Sequence, residues 1–202
     1  MARTTGSNGA RTHAAIRAAA TGLIYRQGFA AMNLRDLAAE VGIQPGSLYN
    51  HIDSKQALLF DLMQDHMAAL LAGTDAALDA AGPALMDRLR AFLDHHVLYH
   101  MERREEIAIA NSELRALEPE NRARIVALRS AYEARLTALL REGVAAGLLS
   151  VPDVAVTAYA MLAMLTGICS WYRPDGRLGK EELVALHTAL ALNGILRRQH
   201  QA

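Results

Sequence analysis

Residues 33–55 read NLRDLAAEVGIQPGSLYNHIDSK, and this stretch decides the fold. Its apolar residues recur every three or four positions on both sides of Gly42, which predicts two short helices joined by a tight turn. Asn33 is a suitable cap for the first helix, and Pro45 suits the first position of the second. A longer predicted helix precedes the pair. The arrangement is typical of a helix-turn-helix, whose second helix enters the major groove of DNA.

The residues of this motif divide into a packing set and an outward-facing set. The packing set has the spacing to contact the preceding helix: Leu34, Leu37, Ala38, Val41, Ile43, Leu48 and Ile52. The outward set is Gln44, Pro45, Gly46, Ser47, Tyr49, Asn50 and His51, whose short or hydrogen-bonding side chains can approach a duplex closely. An ordinary helical hairpin with one polar face has the same pattern. The helix-glycine-helix pattern alone therefore leaves both interpretations open.

The composition favours an all-α protein. Of the 202 residues, 52% are hydrophobic and only 5% aromatic, and alanine, leucine and arginine, all strong helix formers, are abundant. This length fits one domain, or a small module joined to a larger one. The one cysteine, Cys169, excludes an internal disulfide framework and a multi-cysteine zinc site. No cofactor is expected.

The net charge is zero, but the charges are unevenly distributed. Residues 1–55 carry six basic and three acidic side chains, a balance of +3, so the remainder carries −3. A basic amino-terminal part on an acidic body is compatible with a polyanionic partner, although an offset this small is also compatible with chance.

The sequence predicts three regions: a disordered leader at 1–10, a helix-turn-helix domain at 11–55, and a larger helical domain at 56–202. Glycine and proline breaks separate the predicted helices of the body. Helices are expected at about 12–27, 34–41, 45–51, 54–71, 84–102, 103–117, 121–146, 153–172 and 180–199.

An uncharged stretch of nineteen residues, from Val154 to Tyr172, approaches the length of a membrane span. It contains threonines, a serine and many alanines, so we interpret it as a buried helix of a soluble protein. Arg17 interrupts the only early alanine run, and the first twenty residues therefore lack the apolar core of a signal peptide. The expected location is the cytoplasm.

The motif closely resembles the amino-terminal domain of the TetR family of bacterial transcriptional regulators. The resemblance lies in Leu34-Arg35-Asp36-Leu37-Ala38, then Gly42, then Ser47-Leu48-Tyr49-x-His51-Ile52-x-Ser54-Lys55-x-x-Leu58. It is specific over roughly residues 12–60 and architectural beyond them. Ile52 stands where phenylalanine is frequent, and Gln44 where a better capping residue is common. The resemblance implies a repressor that binds palindromic operator DNA as a homodimer and is released by a small apolar or acyl-CoA-like ligand.

The resemblance also implies roles for individual residues of the motif. Tyr49, His51 and Lys55 are expected to contact phosphates and so fix the register of the protein on DNA. The expected base-reading or groove-lining set is Arg35, Gln44, Pro45, Ser47 and Asn50. Two simpler interpretations stay open: Tyr49 as a partly buried packing residue, and Lys55 as a solvated charge.

If the family plan holds, the body encloses a ligand cavity. The expected ligand-binding residues are Phe92, His96, Tyr99, Asn111, Tyr132, Leu136, Met164 and Trp171, a mixture of aromatic, apolar and polar groups that also suits an ordinary core. The segments 111–115 and 171–176 resemble an actinobacterial-type branch whose members include regulators that respond to acyl-CoA thioesters. Arg103, Arg104 and Arg122 are candidates for binding phosphates, or are simply solvated.

The last two helices are the expected dimer interface, as the family resemblance implies. Small residues at Ala163, Gly167 and Ser170 permit close approach of helices, and the terminal helix has an apolar face formed by Leu183, Val184, Leu186, Leu190 and Ile195.

Two competing classes of function remain. His96 and His100 lie four apart on one helix, a spacing compatible with a metal-dependent helical hydrolase, although no third ligand is fixed and Val97 stands where an HExxH glutamate would be. A helical adaptor without DNA binding is the other class. Cys169 is either an oxidant sensor or inert packing, and its apolar surroundings favour packing.

Overall fold

The computed structural model describes residues 6–196. Over that range the chain is helical, with one isolated bridge between Leu149 and Leu196 and no strand, so the all-α prediction is confirmed. The elements are α1 (Gly6–Ala31), α2 (Leu34–Val41), α3 (Pro45–Leu48), α4 (Lys55–Ala80), α5 (Leu85–Glu102), α6 (Arg104–Ser112), a 3₁₀ turn (Glu113–Ala116), α7 (Pro119–Ala145), α8 (Val154–Thr166), α9 (Ile168–Trp171) and α10 (Lys180–Asn193).

Several helix ends differ from the sequence prediction. α1 begins at Gly6, so residues 6–10 of the expected leader are helical, while residues 1–5 lie outside the described range. α4 continues to Ala80 instead of ending near 71, because Gly73 is accommodated within the helix and the left-handed glycine that follows the helix is Gly82. The predicted helix at 153–172 is two helices separated at Gly167.

The contacts divide the chain into two compact units that do not follow chain order. Unit 1 contains the described residues up to Met67 together with Glu105–Val126. Unit 2 contains Ala68–Arg104 and the described residues from Ala127 onward. The predicted domain boundary after residue 55 therefore falls inside unit 1.

The core of unit 1 holds the helix-turn-helix on α1. Ile16 and Ile24 of α1 are fully buried, as are Leu37 of α2 and Leu48 of α3. The turn glycine, Gly42, adopts φ 75°, a left-handed conformation that glycine accepts without strain. Of the predicted packing set, Leu37, Ala38, Leu48 and Ile52 are buried, whereas Leu34, Val41 and Ile43 are half-buried.

α5 is the central helix of unit 2, and α8, α9 and α10 all contact it. Its buried side chains include Leu89, Phe92, Leu93 and Val97. The same core also encloses polar groups, His96 and His100 of α5 among them. Because a buried polar group is costly unless it is hydrogen-bonded, the partners of these histidines matter to the stability of the unit.

Candidate nucleic-acid interface and ligand site

The caps of the helix-turn-helix have the geometry that its sequence predicts. Asn33 accepts a hydrogen bond from the Asp36 amide at 2.8 Å, which satisfies one free N–H at the start of α2. Ser54 accepts one from the Ala57 amide at 2.9 Å and caps α4. Gln44 makes no side-chain cap bond to α3, the weakness that its residue type suggested.

α3 is shorter than the sequence predicted. It covers Pro45–Leu48, and the chain then turns through residues 49–51, since the amides of His51 and Ile52 both bond to the Leu48 carbonyl. Leu48 and Ile52 are buried on the inner side of this segment. The segment is therefore one helical turn and a following turn, anchored by the buried side chain of Leu48 at its centre and that of Ile52 just after its end.

The predicted DNA-contacting residues lie on the outer side of the same segment. Tyr49 has 61% of its surface exposed, so most of its ring lies outside the core. Ser47 and His51 are half-buried, and the other members of the set, Arg35, Gln44, Pro45 and Asn50, are exposed. The structure thus presents a polar surface of short and planar side chains beside one another, which a base edge or a phosphate can approach.

Two other arginines of unit 1 form ion pairs. Arg26 of α1 meets Glu40 of α2 at 3.1 Å, and Arg17 of α1 meets Asp65 of α4 at 2.7 Å. These pairs tie α1 to its neighbours, whereas Arg35 of α2 extends into solvent.

Lys55 makes internal contacts that neither of its predicted roles, phosphate contact or solvated charge, included. Its side chain is half-buried, its ammonium donates to the Ala30 carbonyl at 3.3 Å, and it lies over the Phe29 ring at 4.4 Å from the centroid. It therefore binds the end of α1 to the start of α4. A role at phosphate stays a prediction, and it would have to be shared with this internal contact.

In unit 2, three of the predicted ligand-binding residues are in direct contact. His96 Nδ1 lies 2.7 Å from Tyr132 Oη, and the ring of Phe92 packs against both, 5.2 Å from Tyr132 and 6.4 Å from His96 between centroids. Leu136 is fully buried one turn further along α7. The sequence therefore identified the members of one buried cluster.

The cluster is part of a hydrogen-bonded chain across four helices. His96 Nε2 lies 3.1 Å from Thr166 Oγ1 of α8, and Tyr132 is hydrogen-bonded to Thr74 of α4. Burial lowers the pKa of His96 well below its usual value, with His100 and His95 adding to the shift, and burial also raises the pKa of Tyr132. Both rings are therefore neutral near pH 7, and Thr166 and Thr74 are partners that sequence reasoning missed.

The remaining ligand candidates do not join this cluster. Tyr99 is half-buried, while Met164 of α8 and Trp171 of α9 face solvent. Asn111 is an exposed residue of α6 in unit 1. Exposure of Met164 and Trp171 arises because α8 and α9 bury only the side of each helix that faces α5.

The histidine pair is poorly arranged for a metal. Both ring nitrogens of His96 already have hydroxyl partners, and the rings of His96 and His100 are stacked at 3.8 Å. Within residues 6–196, no three His, Cys, Asp or Glu side chains gather in a metal-binding group. Cys169 is half-buried and donates to the His100 carbonyl at 3.3 Å, and burial raises its pKa to about 11, so it is a poor thiolate.

A cleft that sequence reasoning did not assemble lies at the turn between α9 and α10. It has a volume of about 250 Å³ and is lined by Trp171, Tyr172, Arg173, Gly176, Arg177, Leu178 and Leu183. Trp171 is half exposed and stacks on His187 of α10 at 5.5 Å. The signal in the sequence was two arginines beside two aromatic residues in a glycine turn. Its chemistry suits a flat ring together with an anionic group.

The helices around this cleft expose apolar side chains. Val156 and Tyr159 of α8 and Leu186 and Leu190 of α10 are all more than half exposed. The segment Val154–Trp171 is long and apolar enough to cross a membrane by length and composition, but only 22% of it is buried within the chain. The expectation of a buried helix is therefore wrong, because a face of α8 remains uncovered by its own chain.

Comparison with known proteins identifies both parts of the chain. Residues 16–62 match the model of bacterial regulatory proteins of the tetR family, and residues 82–195 match a tetracyclin repressor-like C-terminal domain. The chain is 28% identical over 177 residues to the HTH-type transcriptional repressor KstR2 of Mycolicibacterium smegmatis, covering 86% of this chain and 85% of that protein.

Solved structures agree with this match. The TetR-family regulator PfmR of Thermus thermophilus superposes with a TM-score of 0.80 at 33% identity, covering 91% of this chain and 99% of that one. AibR, solved in complex with isovaleryl coenzyme A and operator DNA, superposes with a TM-score of 0.80 at 28% identity, covering 89% and 97%. The C-terminal match spans more than half of the sequence, and the alternative of an adaptor unrelated to DNA is not supported. The chain belongs to the TetR family of bacterial transcriptional regulators.

Proposed function

We propose that this protein is a repressor that binds palindromic operator DNA as a homodimer and leaves it when a coenzyme A thioester binds. The observation that carries the proposal is the exposed surface of Arg35, Gln44, Tyr49 and Asn50 on a buried apolar support. Polar side chains held this way are free to bond to an external partner. The proposal involves binding equilibria and no catalytic step.

DNA recognition divides between two groups of residues. Arg35 has the forked donors that read guanine in the major groove, and Asn50 has the paired amide donor and acceptor that read adenine, while Tyr49 and His51 reach phosphate oxygens. The helix-turn-helix domain of one chain, called a head below, makes few base contacts. Useful specificity therefore needs two heads on the two halves of a palindrome.

The exposed apolar residues of α8 and α10 support a dimer. Tyr159, Leu186 and Leu190 would be unfavourable in water as a permanent surface, whereas a second copy of the same helices would cover them. Gly167 is half-buried, and Ala163 and Ser170 are exposed, so close approach of α8 and α9 to a partner is sterically open.

The cleft at the α9–α10 turn supports an anionic ligand with a flat ring. Arg173 and Arg177 can neutralise phosphates, and the exposed face of Trp171 can stack on a base. AibR was solved with isovaleryl coenzyme A, which has both features, so that thioester is the probe of choice. Release follows if the bound form favours a conformation whose two heads no longer match the half-site spacing.

The test begins with a DNA duplex that the wild-type chain enriches from a random-sequence pool. We expect the enriched sequence to be palindromic, light scattering to give two chains per duplex, and binding to weaken steeply with salt. Enrichment of no duplex, or binding by a single chain to a non-palindromic site, would contradict the proposal.

The ligand arm uses the same duplex in an anisotropy assay. Isovaleryl coenzyme A should release the DNA, whereas isovalerate alone should not. Arg173→Met combined with Arg177→Met should raise the thioester concentration needed by about tenfold or more, since each lost charged hydrogen bond is worth roughly 1.5 kcal/mol or more. The matched control is Arg141→Met, an exposed arginine of α7 outside the cleft. Equal release in the control and the double variant would contradict this assignment.

A further inference from the structure

The first turn of α4 makes two contacts that hold different parts of unit 1. Lys55 binds the Ala30 carbonyl and the Phe29 ring at the end of α1. Its neighbour Gln56 donates from Nε2 to the carbonyl of Ala116, at 2.9 Å, in the 3₁₀ turn that follows α6. This second contact joins residues that are 60 positions apart in the sequence.

The hydrogen bond of Gln56 fixes the orientation of its amide. The Ala116 carbonyl only accepts, so the nitrogen of Gln56 must face it and the oxygen must face away. That oxygen is buried and has no hydrogen-bond partner among residues 6–196. An unpaired buried amide oxygen costs stability, so a residue selected for stability alone would not be expected here.

The 3₁₀ turn also lies against α1. Gly28 interrupts α1 with φ 80° and ψ 156°, and a side-chain carbon at this position would lie 3.6 Å from Glu113 Oε1. Residues 29–31 follow this kink and include the two partners of Lys55. Three segments therefore contact one another pairwise: the end of α1, the start of α4 and the 3₁₀ turn.

Residues 45–51, which form α3 and the turn after it, are joined directly to the first turn of α4. Residues 49–54 connect α3 to α4, and the side chains that precede and follow Tyr49 and Asn50, Leu48 and Ile52, are buried in unit 1. The polar side chains of residues 44–51 form the surface that would read DNA, called the reading surface below. A displacement of the first turn of α4 would therefore displace these side chains.

We propose that Gln56 is a positioning residue for DNA recognition, and that its bond to Ala116 makes the placement of α3 depend on the 3₁₀ turn Glu113–Ala116. This inference rests on the proposed DNA-binding function. It assigns to residues outside the helix-turn-helix a part in base discrimination.

The test compares Gln56→Met with Gln64→Met in the full-length protein. Methionine keeps the length of the side chain but removes the donor, and Gln64 is a half-buried glutamine of the same helix. The measured quantity is the ratio of affinities for the duplex that the wild type enriches and for a scrambled duplex. We expect this ratio to fall about fivefold in Gln56→Met, the effect of one hydrogen bond, and to stay unchanged in Gln64→Met.

The ratio separates positioning from a merely structural role. A structural role would lower the thermal midpoint and leave the ratio of the folded molecules unchanged, and that result overturns the inference. If Gln56→Met does not fold, Gln56→Ala, which also lacks the donor and is a strong helix former, has the same expected loss. A wild type that enriches no duplex overturns the proposed function and this inference together, whereas a binding wild type with an unaffected variant overturns this inference alone.

Discussion

The reading surface of unit 1 and the histidine cluster of unit 2 use similar side chains in opposite ways. Tyr49, Asn50 and His51 lie on a buried apolar support with their polar ends directed outward. Tyr132 and His96 lie inside a core, and their polar ends bond to other side chains. Residue type alone therefore does not distinguish a recognition surface from a structural network. The two differ in whether their hydrogen-bonding groups already have partners within the chain.

The largest expected effect comes from breaking the buried network. His96→Leu keeps the volume of the side chain but deprives the hydroxyls of Tyr132 and Thr166 of a partner. Because each lost partner costs roughly 1–3 kcal/mol, we expect the free energy of unfolding to fall by about 2–4 kcal/mol. Urea titration measures this, with His13→Leu, an exposed histidine of α1, as the control. Equal midpoints in the two variants would show that the network contributes nothing to stability.

The reading surface should respond in the reverse manner. Asn50→Ala should leave the free energy of unfolding within about 0.5 kcal/mol of wild type, since the side chain is exposed. It should cost about 1–3 kcal/mol of discrimination at one base pair of each half-site. Competition with singly substituted duplexes measures the second effect, and Tyr49→Phe, which removes only a hydroxyl expected to reach phosphate and should weaken all duplexes alike, is the comparison. A uniform loss for Asn50→Ala would remove it from the base-reading set.

The smallest expected effect is a pH dependence confined to the network. The folded pKa of His96 lies well below the unfolded value near 6.5, so between these values the unfolded chain binds more protons than the folded chain. Stability should therefore be level above about pH 7 and fall by up to roughly 1.4 kcal/mol per pH unit as the pH drops below 6.5. Burial of His95 shifts its pKa in the same direction.

Urea midpoints measured between pH 5.5 and 7.5 test this sign. His96→Leu should reduce the slope and leave the part due to His95, and an unchanged slope in that variant would assign the effect to other groups.

The elements that could be predicted are those whose cause is local. Asn33, Gly42, Pro45 and Ser54 act on the backbone within a few residues of themselves, and each has the role that its chemistry indicated. The start of α1 was misplaced because the glycines before Thr12 looked like a leader, although they are compatible with a helical turn.

The parts that could not be predicted depend on contacts between distant segments. Thr74 and Thr166 became partners of the cluster only when α4 and α8 packed around α5, and no spacing signals that. The hydropathy of α8 predicted a core helix, because an apolar face gives the same sequence pattern whether its own chain or another chain covers it. The bond of Gln56 to Ala116 is equally invisible in the sequence, since it crosses 60 residues.

The chain has one tryptophan, and that residue lies in the α9–α10 cleft against His187. Its intrinsic fluorescence therefore comes from a single place, without any label. Any molecule that enters the cleft changes the emission of this one chromophore, so occupancy of the cleft can be followed optically in the unmodified protein while the heads are free or on DNA.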